Sequence, residues 1–456
     1  PHGVSGPLSR ASGNLQTCRD LSRFPIRLQT AFLTAVLPAR SIVTKAAWDG
    51  YPGVYNGRAV AEPRLGSNRA LVFILNTRMK IIIAPQGFKG GISGLEAARA
   101  IARGVIAAAP DAETVLLPVA DGGDGTLHAL VDATGGEIFT STVTGPINQQ
   151  VEAQWGVMGD GRTAVIEMAR ASGLAMVPPR RRNPNVTTTL GTGQILREAL
   201  ERGFNRVIVG LGGSATNDAG AGMASALGVR FLDSAGNALP SGGAALARLD
   251  RIDTSGLLAS IVGVEIIAAT DVTNPLCGPT GASEIFGPQK GASKGVVAEL
   301  DAALRNFARV VQRDTGHDVL DIPGAGAAGG LGAGLVAFTG AKIQSGIDMV
   351  CQVLDFDRHL EGADLVITGE GRADRSTVFD KAPVGVARHA QAHGVPTVLL
   401  AGSLGEGHEE LYNHGVASVL CISDGTMTFQ QALGRTGVML EGTAERAVRL
   451  FLLSPR

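Results

Sequence analysis

"VIVGLGGSATNDAGAG", Val207–Gly222, begins as a β-branched apolar run and ends in small residues that suit a helix. Between them stand Gly212, Gly213, Ser214, Thr216, Asn217 and Asp218. A chain that passes from strand through such a turn into a helix gathers backbone N–H groups at one point, which makes an anion site. The same residues also suit a plain strand-turn-helix connection, in which Asn217 and Asp218 cap the helix and the glycines only make the turn.

The pattern recurs from Met79 onward. "KIIIAPQGFKGG", "TVLLPVADGGDGT", "VEIIAATDVTNP", "ADLVITGEGRAD" and "PTVLLAGS" each put an apolar run before glycine, acid or small polar residues. Between them lie "GLEAARAIARGVIAAA", "TGQILREALERG" and "VVAELDAALRNFARVVQRD", where apolar residues return every three or four positions. Strands alternating with helices predict an α/β fold with largely parallel sheets covered on both faces. Ligands in such folds sit at the carboxyl ends of strands. Asp121, Asp124, Asp218, Asp271, Glu370 and Asp374 fall at those ends, so several acids are expected around one cleft.

Composition narrows the partners. The chain has 456 residues, long enough for two domains with real cores, and its 63 glycines predict loops rich in positive φ. Aromatic residues make up 4% and the formal net charge is −1, which argues against nucleic acid as a partner. Cys18, Cys277, Cys351 and Cys421 are far apart with no CxxC pair, so reduced thiols in a cytoplasm are expected rather than a disulfide framework or a zinc site. No apolar run approaches the ~18 residues of a membrane-crossing helix. Residues 1–78 are rich in arginine, poor in acid, and lack a strand-helix rhythm. They are read as an extension that is not a folded domain, either upstream sequence ahead of Met79 or a targeting segment, which the apolar "AFLTAVL" imitates.

Acids on rigid glycine loops suit Mg²⁺, which takes oxygen ligands and bridges substrate phosphates. Backbone N–H groups and a lysine suit the phosphates, and a further carboxylate can accept the proton of an attacking hydroxyl. That set describes a small-molecule kinase, although acids after strands also cap helices. Other motifs carry less. Gly324, Gly326 and Gly329 match GxGxxG, but "DVLDIP" before them is a poor strand, so the segment is read as flexible or tightly packed rather than as a dinucleotide site. No GxxxxGK[ST] occurs, Ser403 lacks a nucleophile elbow, and the eight histidines are scattered. "PRRRNP", Pro179–Pro184, reads as a solvated loop that could also bind an anion.

In order and over the length from Met79, the chain resembles the type 1 glycerate kinase family. The matching segments are "APQGFKG", "PVADGGDGT", "RNPNVTTTLGTGQ", "GLGGSATNDAGAGM", "TDVTNPLCGPTGAS", "FGPQKGA", "GAGAAGGLG", "ITGEGRAD" and "KAPVGVA". The resemblance implies transfer of the ATP γ-phosphate to D-glycerate with Mg²⁺, 2-phosphoglycerate being the expected product, in a cytoplasmic enzyme that can be a homo-oligomer. It also implies a Rossmann-like first domain built from residues 79–142 and 360–456, with a second α/β domain, 143–359, inserted. Asp271, past the strand "VEIIAAT" and before the Asn274–Pro275 turn, is the expected general base, with Asp218 its rival. Lys89 and Lys290 are expected near phosphate or the glycerate carboxylate, and Arg372 as a bidentate carboxylate ligand. Gly212, Gly213, Ser214, Thr216, Asn217 and Asn274 are expected to bind substrate or phosphate. Asp121, Asp124, Glu370 and Asp374 are expected at the metal.

Where the family usually reads "APDSFKG", this chain has Gln86 and Gly87, and Asp380 stands where glycine is common, which would place it at positive φ. A silent sugar-acid binder, supported by Gln86, and an NAD-dependent dehydrogenase using the "GAGAAG" segment are the competing functions.

Overall fold

The computed structural model describes residues 78–88, 90–378 and 381–453. The expectations for residues 1–77, Lys89 and Asp380 lie outside the described residues.

Strands β1 (Lys80–Pro85), β2 (Glu113–Leu116), β3 (Glu137–Thr144), β4 (Gln150–Val157), β5 (Thr163–Glu167), β6 (Arg206–Gly210), β7 (Arg230–Leu232), β8 (Arg251–Asp253), β9 (Glu265–Ala269), β10 (Lys342–Gln344), β11 (Leu365–Glu370), β12 (Thr397–Ala401) and β13 (Val416–Cys421) form three sheets. The first runs β13-β12-β11-β1-β2 and is parallel throughout. In the second, β10-β9-β6-β5-β4-β3, the strands β10, β9, β6 and β5 are parallel and the β4 and β3 edge is antiparallel. β7 and β8 make a small antiparallel pair.

The helices are α1 (Gly94–Ala108), α2 (Thr126–Thr134), α3 (Ala169–Ser172), α4 (Leu190–Glu201), α5 (Ala221–Ala226), α6 (Ala282–Phe286), α7 (Lys294–Thr315), α8 (Ala327–Thr339), α9 (Gly346–Val353), α10 (Phe356–Leu360), α11 (Ala382–Ala392) and α12 (Phe429–Phe451). Local chemistry starts the main ones. Ser93 and Glu96 form a capping box on α1, as Thr428 and Gln431 do on α12. Ser293 caps α7, which Gly316 ends in the left-handed region.

Alternation in the strands builds the layers. Ile81 and Ile83 face a core with Ile101 of α1 and Leu440 of α12. Ile82 and Ala84, on the opposite face, share a core with Leu127 of α2, Ile347 of α9 and Val386 of α11. Val165, Ile208 and Ile267 of the second sheet join that same core, so a helical layer lies between the two sheets. Val207, Val209 and Ala268 point to the far side of the second sheet, toward α4, α5, α7 and α8. Covering both faces explains why these strands read as unbroken apolar runs.

The first sheet is drawn from both ends of the region, and the second from the middle. The expected boundary at 142/143 needs correcting, because it falls inside β3, which pairs with β4 along its whole length from Glu137 to Thr144. A tight turn, closed by Gly145 N–H donating to Gln149 O at 2.6 Å, holds both strands of this hairpin in the second sheet.

Candidate functional site

Strand order in the first sheet reverses between β1 and β11, which leaves a crevice beyond their carboxyl ends. A cavity of about 970 Å³ opens there. The loop after β1 contributes Gln86–Phe88 and Gly90–Gly94, the loop before α2 contributes Asp121 and Gly123–Gly125, and β11 leads in Glu370, Gly371 and Arg372. Gly212 and Gly213, from the end of β6, line the side belonging to the second sheet.

Glycine lets the acid loop cross between the sheets. Gly122 has φ +80°, and a Cβ there would lie 2.5 Å from the Ala269 carbonyl oxygen. A Cβ on Gly212 would lie 2.5 Å from the Gly123 Cα, while the Gly212 N–H donates to Gly122 O at 3.1 Å. Glu167, at the end of β5 and buried, accepts 2.8 Å bonds from the N–H groups of both Gly125 and Leu127 and a 2.7 Å bond from Arg170 Nε. It therefore anchors the start of α2 from another sheet, as a structural acid. Asp121 and Asp124 are carried on this pinned loop and border the cavity.

Glu370 lines the same cavity. It is 5% exposed, its Oε1 has no hydrogen-bond partner, and burial pushes its carboxyl up to about 7. Lys381, which also lines the cavity, donates to Ser376 Oγ at 2.7 Å. Arg372 borders the cavity with its Nε 2.9 Å from Asp374 Oδ2. Asp374 does not line it, since its oxygens are taken by Ser376 N–H, Ser376 Oγ and Arg372. Among the described residues no three of His, Cys, Asp and Glu converge as a metal cage. Of the four acids expected at a metal, Asp121, Asp124 and Glu370 share the cavity, and Asp374 closes its own turn.

Asp271 stands behind Asp121. Its Oδ1 accepts bonds from Gly346 N–H at 2.7 Å, Ser345 Oγ at 3.1 Å and Ile347 N–H at 3.2 Å, all at the start of α9. Oδ2 is buried with no partner, and burial, then the charge of Asp121, pushes the carboxyl up to about 8. Asp271 lines a second cavity of about 430 Å³ with Thr273, Arg388, Gln391 and His414, and not the larger one.

The stretch Val207–Gly222 divides in two. Gly212 and Gly213 reach the cavity, whereas Ser214, Thr216, Asn217 and Asp218 turn inward and are buried. Asp218 Oδ2 accepts from Thr189 N–H and Oγ1 at 2.9 Å each and from Gly222 N–H at 3.3 Å, and Oδ1 from Gly220 N–H at 3.3 Å. These N–H groups are thus taken by Asp218, although α5 itself starts at Gly220 without a side-chain cap and Asn217 bonds elsewhere. Burial pushes the Asp218 carboxyl up, against those four donors.

The remaining expected ligands lie with it. Lys290, 1% exposed, donates to Thr216 O at 2.7 Å, and its ammonium is lowered to about 7 by burial. Asn217 Nδ2 donates to Ser283 Oγ, and Asn274 Nδ2 to Thr280 O within its own turn. None of Ser214, Thr216, Asn217, Asp218, Asn274 and Lys290 borders either cavity. The "GAGAAG" segment is the tightly packed one: Ala328, Gly329 and Gly330 all have positive φ, and a Cβ on Gly329 would lie 2.0 Å from Thr216 O.

His128 and Asp132 of α2, Lys381 and Phe429 line the main cavity without having been singled out. Lys381 opens the quoted "KAPVGVA", which was a signal; His128 and Asp132, four apart on one helix face, gave none beyond their spacing.

Two largely parallel sheets thus meet at an acid-bearing cavity with glycine walls in an α/β scaffold. Residues 81–452 match the family model described as the glycerate kinase family, and the chain belongs to that family. It is 49% identical over 366 residues to a glycerate kinase of Bacillus subtilis (strain 168), covering 80% of this chain and 96% of that protein. A glycerate 2-kinase of Escherichia coli (strain K12) is 48% identical over 354 residues, covering 78% and 93%. The crystal structure of a glycerate kinase 2 candidate from Salmonella typhimurium LT2 superposes with a TM-score of 0.74 at 46% identity, covering 82% of this chain and 98% of that one.

Proposed function

We propose that the chain transfers the γ-phosphate of ATP to a hydroxyl of D-glycerate, giving phosphoglycerate, 2-phosphoglycerate by preference, and ADP. Besides family membership, the observation that carries this reading is the cavity: it is lined by the carboxylates Asp121 and Asp124 of the pinned loop and by Glu370, whose buried Oε1 has no protein partner. An unpartnered buried carboxylate oxygen in a cavity that two more carboxylates line fits Mg²⁺, which needs only one or two protein carboxylates when substrate phosphates supply the rest. Bound there, Mg²⁺ would neutralise phosphate charge.

Lys381 and Arg372 supply cations on the same wall, and Gly212 and Gly213 allow close approach of substrate to backbone. Asp271 is the proposed acceptor of the glycerate hydroxyl proton, through the Oδ2 that no protein group occupies. Its smaller cavity, bordered by Arg388, would then hold the acid end of glycerate. This reading places the working residues on two lobes, one for each large sheet, and in a cytoplasm, which suits the free thiols of Cys277, Cys351 and Cys421. Among the described residues no helix is long and apolar enough to cross a membrane.

The test is an assay with D-glycerate, ATP and Mg²⁺ that reads ADP release and resolves the two phosphoglycerate isomers. ATP-dependent loss of glycerate supports the kinase. Binding without turnover would favour a silent sugar-acid binder, and reduction of NAD⁺ would favour the dehydrogenase.

A further inference from the structure

Phe429 is 73% exposed, yet it borders the main cavity. It is the first residue of α12, whose start is already closed by the Thr428–Gln431 capping box, so the helix has no need of an aromatic ring there. One turn further, Leu433 meets the site of any side chain on Gly90, and Thr436 does the same for Gly91. Positions 429, 433 and 436 share a helix face. Phe429 therefore projects beside the Gly90–Ile92 turn at the cavity mouth, where Ile92 and Leu95 add apolar wall.

The charged lining groups come from other places: Asp121 and Asp124 from the glycine loop, Asp132 from α2, Glu370 and Arg372 from the end of β11, and Lys381 from the start of α11. A cavity with an aromatic and aliphatic mouth and a charged floor fits a ligand with one flat apolar end and one polyanionic end. We propose that Phe429 is a specificity-determining residue that stacks on the purine base of ATP, leaving the triphosphate toward Glu370 and Lys381. This rests on the kinase reading and assigns the orientation of the nucleotide within it.

Stacking of a base on an aromatic side chain is worth about 1–3 kcal/mol, or roughly 5- to 150-fold in affinity. In Phe429→Ala the KM for ATP and the Kd for ADP by calorimetry should rise by about that factor. The KM for D-glycerate should stay unchanged, and Phe429→Tyr should restore the wild-type values. Inorganic tripolyphosphate, which has no base, should inhibit wild type and Phe429→Ala equally, whereas adenosine should inhibit only wild type. Unchanged ADP affinity in Phe429→Ala, or a loss shared equally by tripolyphosphate, overturns the assignment. If wild type phosphorylates no glycerate, the kinase reading fails, and the ADP titration still decides for or against Phe429, with no ADP binding to wild type counting against it.

Discussion

The Asp271 Oδ1 accepts a 2.7 Å hydrogen bond from the Gly346 N–H at the start of α9, while Oδ2, on the same carboxylate, is buried and unpartnered. One oxygen is bound to the start of α9, and the other is the one proposed above as the proton acceptor. Asp271→Asn keeps an acceptor for Gly346, so the fold should survive. Its kcat should fall about 100-fold or more, the usual cost of removing a general base. A tenfold loss or less, at unchanged melting temperature, would reject Asp271 in that role. Because the carboxyl is raised to about 8, wild-type kcat/KM should climb with pH toward that value as the base ionises, and the variant should lack that limb.

Glu370 offers a buried oxygen that no protein group uses. If it helps to hold Mg²⁺, Glu370→Gln should raise the Mg²⁺ concentration for half-maximal activity by about tenfold or more. A chelator should abolish wild-type activity reversibly. An unchanged Mg²⁺ requirement in the variant would remove Glu370 from the metal site.

Gly212 and Gly123 are in backbone contact, so a methyl group on Gly212 must displace the acid loop. Misplacing reacting groups by about 1 Å can cost about 100-fold in rate. Gly212→Ala should therefore lower kcat/KM by that order while circular dichroism remains native. Full activity would show that Asp121 and Asp124 need no fixed position.

Glu167 holds the first turn of α2 through two N–H groups. Hydrogen bonds to a charged group are worth about 1.5–3 kcal/mol, so Glu167→Gln should lower stability in denaturant by that order without changing the KM values. A change in kcat at constant stability would instead make Glu167 part of the chemistry.

Lys290 titrates at about 7 in the folded protein and at 10.5 as its ordinary value. Between those values the unfolded chain binds more protons, so stability should rise with pH. The folded state carries the full penalty of the buried ammonium below pH 7 and none above 10.5. Lys290→Met loses the bond to Thr216 O but should flatten that rise. Melting temperatures at about pH 6.5 and 9.5 measure it, and equal pH slopes in the two proteins would refute the buried charge.

Strands, sheets and the general place of the site were legible in the chain itself. Apolar runs such as "KIIIAP" and "RVIVG" are buried on both faces, and glycine with acid marks their carboxyl ends. That rule picked out Asp121, Asp124 and Glu370, which line the cavity, together with Asp218, Asp271 and Asp374, which do not. It could not tell which polar groups after a strand would turn outward. Asp218 and Asp374 carry the same local signature as Asp121, yet Asp374's oxygens are taken up by its own turn, and Asp218's by Thr189, 29 positions away, along with Gly220 and Gly222. Whether N–H groups at a helix start meet a ligand or a neighbouring side chain depends on what packs over them, and for Lys290 and Thr216 those partners are 74 positions apart. Likewise, Phe429 comes to the mouth of a cavity begun at Gln86 only because α12 packs along α1. Local pattern thus set the elements and their polarity, while contacts between distant segments decided which side chains face the cavity.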